Sequence, residues 1–455
     1  EAYGISVSVA QFLSYITLLE GGIGGVARAK LYGPLAKNDV SEISSVYYAV
    51  RDFFNHVAVV FVAYNVILGL CYHDLAHVTI FSKTYIFLLV FSIGLATLAK
   101  YMGGLANLTL IVADKKVYIN NLIMVGTTLI NAIAIILLVK LGADLILVKL
   151  GSSLIFIVRP IMYTYYVKKH YALIKSGKKV VLDQKWTGIG QHIAYFLHKN
   201  IDVVLLTLMA DVRLVAVYSV YNMVISSIRS ITEAFSGGME AVFGEWIAKG
   251  DIPALQLSYR KYKTLISAAS LVLFSCAGIL IVPFIMLYTK EITDADYIQP
   301  AFALVFLVAE AVNCLVLPCS SLPVAANHLK QTRWGAYGEA MINIFLSCIL
   351  IKWNPLLGVA LGTLVATMFR AVYYMIYSAK NFLHLPVYRI LLPCCGTIFL
   401  LCAIALCGAF LIQTVKIRNY FSWMLWGLLC LLIIALPVAA AVRNYIKRIQ
   451  CRRQI

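Results

Sequence analysis

The sequence predicts an all-α polytopic membrane protein, a bundle of about thirteen transmembrane helices with its basic loops on the cytoplasmic side. Three observations predict it. Apolar residues are 62% of 455 and charged residues 13%, with a mean hydropathy of +0.87, outside the range of soluble globular domains. Apolar runs of about twenty residues, the length that crosses roughly 30 Å of hydrocarbon, recur along the whole chain. Lysine and arginine gather on alternate loops between those runs.

In chain order the expected spans are 5–28, 53–72, 84–111, 117–139, 144–167, 187–210, 214–243, 264–288, 297–325, 334–352, 356–379, 390–413 and 421–442. Each run is continuously apolar, as a membrane helix requires, whereas barrel strands alternate in segments of about ten residues. The first span carries Glu20 and the glycine pair Gly21-Gly22, the third Lys100, and the fifth Arg159 followed by Pro160. The sixth holds His192, His198, Lys199 and Asp202, and the seventh Arg229, Glu233 and a second glycine pair, Gly237-Gly238. The ninth holds Glu310 and ends in Leu317-Pro318-Cys319-Ser320-Ser321-Leu322-Pro323, which reads as a broken helix end; the eleventh holds Arg370. No polar stretch between spans is long enough to bury a core of its own.

Orientation follows from the loops. Counting Arg28 to Arg51, Lys115-Lys116, Lys168 to Lys185, Lys249 to Lys263, Lys330 and Arg333, Lys380 and Arg389, and the tail from Arg443, 25 of the 38 basic residues fall on one side. That side is cytoplasmic by the positive-inside rule. The C-terminus is then inside and Glu1 outside. The net charge of +18 sits in short loops, so topology and anionic lipid account for it better than nucleic acid does. The opening Glu1-Ala2-Tyr3-Gly4 has neither an initiator methionine nor a signal peptide. With an exterior amino end it implies one preceding helix, fourteen in a full chain. The eleven cysteines lie mostly in apolar runs without metal-ligand spacing, so no metal and no cofactor are expected.

The chain also repeats itself. Tyr3, Gly21-Gly22 and Ala36-Lys37-Asn38-Asp39 in the first span match Tyr218, Gly237-Gly238 and Ala248-Lys249-Gly250-Asp251 in the seventh, both running from outside to inside. With the missing helix counted, these become helices 2 and 8 of two parallel six-helix lobes followed by two C-terminal helices. The expected organisation is an N-terminal lobe (1–170), a cytoplasmic linker (171–186), a C-terminal lobe (187–380), and helices 13 and 14 with a basic tail (381–455).

The opening EAYGISVSVAQFLSYITLLEGGIGGVARAKLYGPLAKND, and the stretch from Asn200-Ile201-Asp202 through Tyr218 to FGEWIAKGD, resemble the bacterial polysaccharide flippases of the multidrug/oligosaccharidyl-lipid/polysaccharide exporter superfamily. The resemblance implies a fourteen-helix, two-lobed transporter. Such a protein moves undecaprenyl-diphosphate-linked oligosaccharide across the bacterial cytoplasmic membrane by alternating access, for surface polysaccharide biosynthesis. Its partners would be membrane lipids and the polymerase and glycosyltransferases that use and make the substrate. A multidrug exporter of the same superfamily and an integral-membrane polysaccharide polymerase are the competing readings. A polymerase needs a catalytic constellation near the interface, and no paired carboxylates, metal cluster or Gly-rich phosphate loop stands out, so no enzyme is expected.

Ionisable residues inside spans are costly and therefore candidates for function. Five basic ones, Lys100, Arg159, Lys199, Arg229 and Arg370, stand against four acidic ones, Glu20, Asp202, Glu233 and Glu310. The cations are candidates for a substrate diphosphate, and the carboxylates for coupling or charge pairing. Arg159 is first among them, because no carboxylate lies within one turn of it and Pro160 frees backbone carbonyls beside it. Arg229 and Glu233, four residues apart, are expected to pair on one helix face. Lys100 and Arg370 are expected to pair with Glu20 or Glu310.

Overall fold

A computed structural model describes residues 1–20, 23–174, 189–234, 238–413 and 417–451. All regular structure among them is helical. The first half runs α1 (Ala2–Ser14), a 3-10 turn (Tyr15–Glu20), α2 (Ile23–Lys37), α3 (Val40–Leu75), α4 (Lys83–Ala99), a π segment (Lys100–Gly104), α5 (Leu105–Ala113), α6 (Val117–Lys140) and α7 (Leu145–His170). The second runs α8 (Ile189–Met209), α9 (Val212–Ala234), α10 (Met239–Lys249), α11 (Ile252–Tyr288), α12 (Pro300–Ala325) and α13 (Leu329–Leu350). It continues through α14 (Pro355–Ser378), a second π segment (Ala379–Leu383), α15 (Tyr388–Gln413) and α16 (Tyr420–Cys451).

Every one of the thirteen expected spans falls on a helix, and eleven helices among the described residues are long and apolar enough to cross a membrane. The other two spans are α8, apolar over Asn200–Met209, and α13, which is less apolar because it carries Lys330, Arg333 and Glu339. Three spans are interrupted. The span expected at 5–28 is divided between α1 with its 3-10 turn and α2; 84–111 contains the π segment; 214–243 is divided between α9 and α10. Gly21, Gly22, Gly237, most of the 171–186 linker, residues 452–455 and the side chains of His192, His198 and Lys199 lie outside the described residues.

The proline-rich end of the ninth span is not a break: α12 continues through Pro318 and Pro323 to Ala325. Pro323 has no N–H for the carbonyl four residues back, that of Cys319. The Ser378 hydroxyl of α14 donates to that carbonyl at 2.7 Å instead. The helix continues, with a neighbour satisfying what the proline leaves open.

The chain clusters into two compact units, Ala2–Phe196 and Leu197–Ile455 with Glu1. In the first, α3 packs on α4, α4 on α7, and α6 on α7. Phe54 and Phe61 of α3 close on the buried Tyr101 ring at 6.2 and 6.1 Å. Only 11% and 6% of the apolar windows of α6 and α7 are buried, so most of their apolar surface is left for lipid. In the second unit α12 is the central helix, 78% buried over its window, and touches α9, α10, α11, α14 and α15. α13 and α14 approach closely because Gly362 presents no side chain; a Cβ there would collide with the Ser347 hydroxyl. α15 and α16 lean on α11, where Trp423 Nε1 donates to the Leu280 carbonyl at 3.1 Å.

The two halves also share local joints. α2 ends in Asn38 (φ 54°), and Asp39 then caps α3 by accepting from Glu42 N at 3.0 Å. α10 ends in Gly250 (φ 66°), and Asp251 caps α11 by accepting from Ala254 N at 2.9 Å. The next turn recurs too: left-handed Lys115 (φ 59°) precedes α6, and left-handed Asn327 (φ 56°) precedes α13. Both pairs are offset by 212 residues (38 to 250, 115 to 327).

Candidate functional site

In the first unit the 3-10 turn and the π segment bring two candidates together. Glu20 accepts from Lys100 Nζ at 3.2 Å and from Tyr101 OH at 2.6 Å. Lys100 therefore takes the expected partner, Glu20. Arg159 on α7 has no carboxylate within 4.0 Å among the described residues. Its Nε donates to Thr127 Oγ1 at 2.7 Å and its Nη2 to Thr128 Oγ1 at 3.0 Å, both on α6, and the guanidinium lies 4.4 Å from the Phe156 ring centre. Threonine hydroxyls thus orient it without neutralising it.

In the second unit Arg229 Nη1 reaches Glu310 Oε1 on α12 at 3.0 Å, while Glu233 on its own helix stands at 3.7 Å. The expected intrahelical pair is the longer of the two contacts, and Glu310 is the closer partner. Asn313 Nδ2 holds the other Glu310 oxygen at 3.4 Å. Glu310 is thereby engaged by Arg229, and no ion pair between it and Arg370 is found among the described residues. Arg370 bonds instead to Glu339 of α13, at 3.2 and 3.3 Å to its two oxygens. Glu339 is 2% exposed and belongs among the deep charges. With it the count is five basic against five acidic, and the cationic excess inside the spans disappears. A sequence signal existed: it is the one carboxylate in the run from Leu329 to Leu350.

Asp202 on α8 is buried and accepts from Tyr218 OH and Thr363 Oγ1, each at 3.1 Å. Thr363 also accepts from Asn343 Nδ2 at 3.1 Å, and Ser347 Oγ donates to Asn343 Oδ1 at 3.3 Å. The hydrogen bonds to this carboxylate among the described residues come from hydroxyls. Where Lys199 points lies outside the described residues. No group of three or more His, Cys, Asp or Glu is placed to hold a metal among the described residues.

The repeat relates two of these sites. Counted from the left-handed residues Lys115 and Asn327, Thr127 and Glu339 are both twelve residues on, in α6 and α13. Arg159 and Arg370 stand on the following helices, α7 and α14. Each half therefore bonds an arginine of one helix to one position of the helix before it. Threonine fills that position in the first unit and glutamate in the second, so Arg370 is neutralised and Arg159 is not.

The second unit has a groove of about 890 Å³ between α11, α15 and α16. Its walls are largely apolar, with Leu271, Leu392 and Val438 among them, and Arg260, Lys263 and Arg389 stand at one end. Lys263 Nζ donates to the Ile390 carbonyl at 2.9 Å, and Arg260 and Arg389 are exposed. In the first unit, outside the spans, Asp114 accepts from Lys116 Nζ at 2.7 Å and from Tyr171 OH at 2.5 Å. Burial pushes the Asp114 carboxyl up, but these hydrogen bonds outweigh it and hold the group below the usual carboxylate range. Its hydrogen bond in turn raises Lys116 above the usual ammonium value.

No protein-family model and no curated protein sequence matches the chain. Solved structures do. The chain is similar to a lipid II flippase, MurJ, in an inward closed conformation, at 14% identity and a TM-score of 0.70 over 98% of this chain and 94% of that one. It is similar to the MATE multidrug transporter DinF-BH at 16% identity and a TM-score of 0.58, over 85% and 90%. A third is a MOP superfamily transporter from Pyrococcus furiosus, at 14% identity and a TM-score of 0.51, over 84% and 92%. At these identities the likeness is one of fold, an all-α multi-pass membrane fold used by transporters.

Proposed function

We propose that the protein carries undecaprenyl-diphosphate-linked oligosaccharide from the inner to the outer leaflet of a bacterial cytoplasmic membrane, by alternating access of its two lobes and without enzymatic chemistry. The observation that carries this reading is the groove between α11, α15 and α16, apolar along its walls and cationic at one end. A polyprenyl chain fits the walls and a diphosphate the Arg260, Lys263 and Arg389 end, which the charge bias makes cytoplasmic. A soluble drug needs no such length of apolar wall. The fold likeness to a protein described as a lipid II flippase supports the same reading. Arg159 and Arg229 are each candidates for contact with the diphosphate along the path, Arg159 ahead of Arg229 because no carboxylate pairs with it among the described residues. Asp202, buried and hydrogen bonded to two hydroxyls, is the candidate in this reading for coupling transport to an ion. The polymerase and glycosyltransferases of surface polysaccharide synthesis are the partners this reading names.

The test is reconstitution in liposomes with an undecaprenyl-diphosphate-linked oligosaccharide and a glycosidase added outside. The protein should increase the fraction of sugar cleaved, and Arg260→Gln with Arg389→Gln should slow that increase about tenfold. The likeness to MATE multidrug transporters supports the second reading, drug export. Uptake or release of a cationic dye by the same liposomes, with no sugar made accessible, would establish that reading and reject the first.

A further inference from the structure

The first unit contains a cavity of about 510 Å³ that none of the candidate charges occupies. α3 contributes Arg51 to it, the C-terminal turn of α7 contributes Lys168, and the π segment with Asn107 forms the floor. The backbone makes this space. Met102 and Gly103 leave helical geometry, with Gly103 at φ 137°, a conformation that side chains rarely adopt. π segments of this kind are frequent at functional positions.

The neutral polar groups of the floor satisfy one another. Tyr47 OH donates to Asn107 Oδ1 at 2.8 Å, Asn107 Nδ2 to Thr164 Oγ1 at 2.8 Å, and Thr164 Oγ1 to the Pro160 carbonyl at 2.7 Å. The wall residue Tyr171 is committed to Asp114, which Lys116 also holds. No carboxylate lines the cavity, and neither Arg51 nor Lys168 makes an ion pair among the described residues. The binding capacity left in the cavity is therefore cationic.

Lys168 also borders a second cleft of about 450 Å³, walled by Ala99, Ile157 and Ile161, and Met102 and Thr164 belong to both spaces. A polar chamber with two cations thus opens through Lys168 onto an apolar cleft along a helix that faces lipid. We propose that these joined spaces bind a phosphate-bearing amphiphile, its phosphate between Arg51 and Lys168 and its chain along α7. The guanidinium supplies a planar fork and the ammonium a point charge. The charge bias places the site at the cytoplasmic end, where anionic phospholipid is the abundant source and a soluble phosphate compound the alternative. The site lies in the other unit from the α11, α15 and α16 groove and does not depend on what the protein transports.

The experiment reads the alkylation rate of Ala172→Cys, a wall position, by peptide mass in the full chain held in nanodiscs. Phosphatidylglycerol should slow alkylation about tenfold relative to phosphatidylcholine alone, and Arg51→Gln with Lys168→Gln should remove that protection. Ile161→Trp, at an exposed cleft position, should remove it while leaving both charges. Equal protection in the charge-free variant, or none in the parent, overturns the proposal. Protection by inorganic pyrophosphate but not by phosphatidylglycerol assigns the site to a soluble anion and rejects the lipid.

Discussion

Thr127 decides what Arg159 is able to do. A guanidinium inside the membrane region costs on the order of 3 kcal/mol if lipid-exposed, so it must be engaged. Hydroxyls engage it without cancelling its charge. Arg370 shows the other outcome, a glutamate at the matching position. Thr127→Glu should therefore build the second unit's pair into the first: transport falls at least tenfold while the protein inserts normally and melts no lower. Arg159→Ala should nearly abolish transport, and Arg159→Lys, which keeps charge but loses the fork, should reduce it. Full transport by a stably inserted Arg159→Ala protein would sink the role given to it. Arg370→Ala should act differently, because it strands the buried Glu339; breaking such a pair costs about 3 kcal/mol or more, read as a lower melting temperature. Arg229 belongs with Glu310. Arg229→Ala with Glu310→Ala should lose less stability than Arg229→Ala alone, measured as a double-mutant cycle; additive losses would show that the 3.0 Å contact carries no coupling.

At the scale of elements, the spans were legible because hydrophobic length is a local property of the chain. Their interruptions were not. Ser378 reaching the carbonyl that Pro323 leaves open is a fact about α14, invisible in the α12 sequence, so Leu317 to Pro323 read as a break where the helix continues. Partner choice was incomplete for the same reason: Glu233, four residues from Arg229, does stand at 3.7 Å from it, but Glu310 on another helix comes closer. The Ala-Lys-x-Asp repeat was legible because a cap is also local, and the structure shows its cause in a left-handed residue followed by a capping aspartate. Asp39→Ala and Asp251→Ala should each cost about 1 kcal/mol, the usual value of a helix N-cap. Asn38→Gly should be tolerated, since glycine adopts that backbone freely, and Gly250→Val should not. Melting temperatures of the four variants test this, and a neutral Asp251→Ala would remove the cap's role.

The whole molecule rests on an orientation that no single helix fixes. Helices of 36 and 37 residues, α3 and α11, exceed what a membrane needs, so their basic ends extend beyond the hydrocarbon. Arg51 lies on α3, and Arg260, Lys261 and Lys263 on α11, all in the N-terminal halves that follow the paired caps. The gathering of 25 of 38 basic residues on alternate loops fits an odd number of crossings between Glu1 and the tail. One helix gained or lost would reverse half of the loops and scatter the bias. Lys169→Cys, exposed in the last turn of α7, should therefore resist a membrane-impermeant maleimide in intact cells and react after permeabilisation. Thr293→Cys, exposed beside Asp294 to Tyr297, should react from outside at once. The opposite pattern would turn the basic end of the α11, α15 and α16 groove away from the cytoplasm. A lipid made on the inner leaflet would then meet the groove at its uncharged end, and the proposed direction of transport would fail with it.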